Sequence, residues 1–124
     1  MVWVATGSDN NIVRIDARSG GELARAKISQ DPSASAYAVA AGADAIWVGS
    51  GNDIFKIDSS SHELVGQWDY GAGVNDVAVG GGCFDAGTVT RVDPATGNVV
   101  ATIRIGGHPS GIAVGANRVW VTVS

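Results

Sequence analysis

The sequence predicts an all-β protein built from tandem four-stranded units. Three observations carry that prediction. Short Val- and Ile-rich runs alternate with polar residues in the manner of strands. The same runs recur in one order at intervals of 35 to 42 residues. No segment keeps a 3.6-residue apolar period over the length of a helix.

Three series of runs define the unit. Val39-Ala40-Ala41-Gly42, Val77-Ala78-Val79-Gly80 and Ile112-Ala113-Val114-Gly115 give strand one. Its matched alanines, Ala40, Ala78 and Ala113, suit an innermost strand where units crowd together. Val2-Trp3-Val4, Ile46-Trp47-Val48 and Val119-Trp120-Val121 give strand two. Strand three is the run that closes on a base, an aliphatic and an aspartate: Arg14-Ile15-Asp16, Lys56-Ile57-Asp58 and Arg91-Val92-Asp93. A turn follows each aspartate. In Asp93-Pro94-Ala95-Thr96-Gly97-Asn98, Pro94 fixes φ, Asp93 bonds forward to the backbone and Gly97 takes the left-handed position. Asp16 to Gly21 and Asp58 to His62 fill the same slot, which makes His62 a turn residue. Strand four follows at Glu22 to Ile28, Glu63 to Asp69 and Val99 to Ile105.

Four short antiparallel strands in about 40 residues describe a β-propeller blade. The repeats run over residues 2–36, 37–74 and 75–109, with a partial fourth at 110–124, all in one segment. The tryptophans of strand two recur at one blade position and are expected to wedge between blades. Trp68 and Tyr70 lie outside that series and are expected at the rim as exposed aromatics. Blade three departs from the pattern. Its strand-two slot holds Cys83-Phe84-Asp85-Ala86, with Phe84 or Asp85 expected where Trp47 and Trp120 sit.

The run from Gly87 to Val121, with Arg91-Val92-Asp93-Pro94-Ala95-Thr96-Gly97 and Gly106-Gly107-His108-Pro109-Ser110-Gly111 inside it, closely resembles the YVTN-type repeats of YncE-like propeller proteins. It is also similar to the NHL-like blades of the streptogramin (virginiamycin B) lyase family. The resemblance covers nearly the whole chain and implies the propeller architecture. It assigns no catalytic residue to a position here.

Composition bounds the function. The 124 residues allow one domain of ordinary size, and 45% apolar content is enough for a core. A net charge of −4 disfavours nucleic acid and anionic membrane surfaces. No apolar stretch has the length of a membrane span and no charged-then-apolar leader opens the chain, so a soluble chain is expected, with no compartment assigned. A single cysteine excludes an internal disulfide and a cysteine metal cluster, and Cys83 reads as a small apolar residue. Gly80-Gly81-Gly82 lacks the following Lys-Ser/Thr of a phosphate loop. No cofactor and no metal are expected.

In propellers the strand four-to-one links and the strand two-to-three loops share the face around the channel mouth. His108, Asn10, Asn11, Asn52, Asp53 and Asp76 map to that face and are the candidate ligand-binding residues. The expected function is a non-catalytic binding or interaction module, taking a small molecule or a protein at the channel face. The competing reading is a lyase or hydrolase in which His108 serves as base and Asp53 or Asp76 completes the site. The chain carries thirteen strands, slightly over three blades, whereas propellers close with about four to eight. The expected assembly is therefore a homodimer closing a six-bladed ring, with strands from both chains at each seam. Each seam would then hold one strand two too many, because both Val2-Trp3-Val4 and Val119-Trp120-Val121 are present: either one of them is displaced or the chain is part of a longer propeller.

Overall fold

The computed structural model describes residues 2–7, 10–29, 34–42, 44–79, 81–84, 87–115 and 118–123. Within them lie thirteen strands and no helix. Blade one is β1 (Val2–Ala5), β2 (Asn11–Ile15) and β3 (Glu22–Lys27), hydrogen-bonded in that order. Blade two is β4 (Ala38–Ala41), β5 (Ala45–Ser50), β6 (Asp53–Asp58) and β7 (Leu64–Asp69). Blade three is β8 (Val74–Ala78), β9 (Gly81–Phe84), β10 (Thr88–Val92) and β11 (Val99–Arg104). The partial fourth blade is the hairpin of β12 (Pro109–Gly115) and β13 (Arg118–Val123). Every pairing is antiparallel. The strand-one elements β4, β8 and β12 touch one another in series, which makes them the inner edge.

One outer turn is built three times. The N–H of Gly20, His62 and Gly97 donates to the carbonyl of Asp16, Asp58 and Asp93 at 2.8, 2.9 and 2.8 Å. Each aspartate Oδ1 accepts a backbone N–H two residues on, from Arg18, Ser60 and Ala95. The residue four places after the aspartate has φ of 74° in Gly20, 62° in His62 and 74° in Gly97. His62 is therefore the turn residue expected, and it holds the left-handed position without being glycine. These bonds to the ionised form hold Asp16 below the usual carboxylate range, chiefly through the Arg18 N–H, and Asp58 chiefly through the Ser61 N–H. A carboxyl lowered in the folded state contributes stability in full above its unfolded pKa and loses it as pH falls through the folded value. Asp16→Asn/Asp58→Asn should accordingly lose less melting temperature than the parent between about pH 5 and pH 2, which thermal scans in that range check.

Two buried clusters fill the first two gaps between blades. Ile12, Ala26, Ile28, Ile46, Val48, Phe55 and Ile57 join blades one and two, with Trp3 and Ala5 packed against them. Ala38, Trp47, Ile54, Val74 and Val77 join blades two and three, with Trp68 and Tyr70 against them. Trp68 is thus not an exposed rim aromatic. Ile54 pairs with Trp68 and Lys56 with Trp47, so β-alternation puts both indoles on the face toward blade three. Their rings stack with centroids 6.1 Å apart. Gly97 of the next blade lies under Trp68, and the Tyr70 hydroxyl donates to the Gly97 carbonyl at 2.8 Å. Burial pushes the Tyr70 hydroxyl pKa up.

Blade three corrects a second expectation. Trp3 pairs with Arg14 and Trp47 with Lys56, and Arg91 pairs with Gly81. The tryptophan slot of this blade is therefore Gly81, not Phe84; Asp85 lies outside the described residues. Two residues separate Ala78 from Gly81, whereas six separate Ala40 from Trp47 and Ala113 from Trp120. The irregularity thus sits in the strand one-to-two hairpin, four residues shorter than its counterparts. With Gly81 for tryptophan and Ile103 at the place of Trp68, the third gap has no aromatic wedge at these two positions.

Candidate functional site

The link after β3 and the β5–β6 turn meet on one face, and a cleft of about 510 Å³ opens between them. Its walls carry Tyr37, Asn52, Asp53, Gln67 and Asp69, with Ser29, Ser35 and Ser50 beside them and Phe55 beneath. Backbone bonds hold this geometry. Tyr70 N–H donates to the Asn52 carbonyl at 3.0 Å and Val74 N–H to the Gly51 carbonyl at 2.8 Å, which pins the β5–β6 turn against the following link. Gly51 has φ of 57°, the left-handed region that lets the turn close in two residues. The Ser50 hydroxyl accepts the Ser35 N–H at 3.3 Å. Gln67 Nε2 donates to Asp53 Oδ2 at 2.8 Å, and Gly71 N–H to Asp69 Oδ1 at 2.7 Å. Tyr37 is 62% exposed.

The chemistry is that of a polar recognition surface. Two carboxylates, two amides and a phenol face a cleft whose described lining holds no lysine or arginine. Such a set accepts hydrogen bonds from a cation or a polyhydroxylated molecule and opposes an anion. Among the described residues no three His, Cys, Asp or Glu side chains gather as a metal site.

The structure gathers part of the expected set. Asn52 and Asp53 line the cleft. Asn10 is buried nearby and its Nδ2 donates to the carbonyl of Ser29, a lining residue, at 2.7 Å. Asn11 opens β2 and pairs with Lys27. Asp76 lies two gaps away: its Oδ2 accepts the Ile112 N–H at 2.9 Å and its Oδ1 the Val77 N–H at 2.9 Å, joining blade three to the last hairpin. His108 is exposed in the link between β11 and β12, apart from the cleft. Tyr37, Gln67 and Asp69 went unread in the sequence. The signal for Tyr37 was available, since repeat alignment makes Ser35 the counterpart of His108 and places Tyr37 in the same link.

No protein family and no curated protein sequence matches the chain. Solved structures do match. Glutaminyl cyclase of Myxococcus xanthus aligns with a TM-score of 0.77 at 8% identity, over 98% of this chain and 56% of that one. The WD40 repeats of RRP9 align at 0.74 and 15% identity, over 89% and 37%. BamB of Moraxella catarrhalis aligns at 0.74 and 16% identity, over 98% and 37%. The fold is that of a β-propeller. The chain spans roughly two fifths to just over half the length of these proteins. Among the described residues no helix is long and apolar enough to cross a membrane.

Proposed function

We propose that the chain is a non-catalytic propeller module that assembles with a second copy into a six-bladed ring and binds a partner or small polar molecule at the cleft face. One contrast carries the assembly. Trp47 and Trp120 hold the same blade position, and Trp47 is 5% exposed where Trp120 is 63%. Val99, Val100, Ile103, Val114 and Val119 lie exposed on the same end of the molecule. Surface of this kind is buried at the two internal gaps, so another blade is the partner whose shape fits it. The repeat resemblance to YVTN-type and NHL-like blades supports the same reading. The fold itself serves enzymes and interaction modules alike, so the binding role rests on the cleft.

Light scattering on a size-exclusion column should give twice 12.5 kDa at micromolar concentration. A stable folded monomer would refute the ring. Asp53→Asn and Tyr37→Ala should leave that mass unchanged, because neither residue lies at the exposed end.

A further inference from the structure

We propose that the ring closes by strand exchange: β13 of one chain takes the seat of β1 beside β2 of the other. This rests on the two-copy ring proposed above and identifies which duplicate strand is given up. A seam blade needs strands one to four. β12 supplies the first, β2 and β3 of the partner the last two, and both β13 and the partner's β1 offer the second.

Strand length is compatible with β13 in this seat. β1 is four residues long, β13 six, and β2, against which strand two must lie, five. β13 is long enough to lie along all five residues of β2, of which β1 pairs four while Thr6 bonds the Asn11 carbonyl. The opposite choice strips a six-residue strand from β12 and returns a four-residue one. Sequence fits the exchange, because Val119-Trp120-Val121 repeats Val2-Trp3-Val4. By that equivalence Val121 comes opposite Val13, where Val4 now pairs.

Side chains point the same way. Trp3 meets the His62 ring edge-on at 5.5 Å between centroids. Exchange seats Trp120 on that ring in the partner, burying an indole now 63% exposed. One face of β1 is open, with Val2 47% and Val4 38% exposed, while Trp3 and Ala5 pack inward. Its release gives up four ladder pairs to β2 and the packing of Trp3 and Ala5 against the first cluster, places that β13 refills with Trp120 in the seat of Trp3. A groove of about 290 Å³ beside the hairpin, lined by Val89, Ile103, Val114 and Val119, has Arg91 at its edge. Arg91 stands where Lys56 stands in blade two, and Lys56 Nζ donates to the Pro94 carbonyl of the next outer turn at 2.7 Å. The outer turn that follows the partner's β2 is the matching cover for this groove.

Full-length Val13→Cys/Val121→Cys in a Cys83→Ser background tests the exchange. Paired positions on neighbouring strands bring Cα atoms to about 4.5–5.5 Å, within disulfide range. Oxidation should give a covalent dimer on a denaturing gel, reversed by reductant, while light scattering of the same sample shows the dimer mass. A Val4→Cys/Val13→Cys chain in the same background should stay largely uncrosslinked. Dimer mass with crosslinking at 4–13 and none at 13–121 overturns the exchange and leaves the ring standing. Monomer mass overturns the ring. A second readout avoids the cysteines: Trp120→Ala should weaken dimerisation at least about tenfold and Trp3→Ala by less than about threefold. The reverse ranking also overturns the exchange.

Discussion

Trp47→Ala should cost about 3–5 kcal/mol of unfolding free energy, the range for truncating a large buried aromatic. Its indole is 5% exposed and forms the centre of the gap between blades two and three. Trp68 stacks on it, the Lys56 ammonium sits 5.3 Å from its ring centre, and Ala40 faces it across the ladder. No neighbour is placed to fill the void, since Trp68 is itself fixed over Gly66 and Gly97. Urea unfolding followed by circular dichroism measures the loss. A curve close to the parent's would show that the indole is not a wedge, and would reopen its reading as a ligand platform.

Gly97→Ala should cost about 2–4 kcal/mol, and Gly20→Ala only about 1. Both glycines have φ of 74°, so both substitutions carry the same left-handed backbone penalty. They differ in surroundings. Nothing lies within 4 Å of a Cβ at Gly20, whereas one at Gly97 would overlap the Trp68 ring. The difference between the two variants isolates the cost of moving that indole. Equal effects would mean that Trp68 swings aside without penalty.

Strands and outer turns were legible in the sequence because both are written locally. Alternation reports a half-buried strand, and Asp followed four residues later by glycine reports its own turn. His62 shows that the turn tolerates another residue once the aspartate bonds are in place. The tryptophan slot of blade three was not legible. Comparing Cys83-Phe84-Asp85 with Val-Trp-Val assumes a hairpin of constant length, and ladder register alone shows that four residues are missing before Gly81. Trp68 was misplaced for a related reason: its face is set by pairing with Ile54, a relation between strands. Two of the five cleft-wall residues were readable, because the β5–β6 turn is a repeat feature and Asn52 and Asp53 stand in it. Gln67 and Asp69 come from the end of strand four, whose side chains enter the cleft only because β7 pairs with β6.

The gap before the last hairpin has a consequence for motion. A chain of blades in which each touches only its neighbours holds its parts by separate interfaces, and the weakest sets where opening begins. Two gaps are closed by buried clusters; the third keeps Ile103 57%, Val114 52% and Val119 54% exposed. Ile12 and Val89 hold the same position in their blades, four residues before the turn aspartate, and are both buried, yet only the first belongs to a filled interface. Amide exchange in the separated chain should therefore be graded along the sequence, with β12 and β13 detaching as one unit while β5 and β6 exchange only through global unfolding. The hairpin that leaves first is also the one with the exposed indole, so local opening and partner capture draw on the same segment.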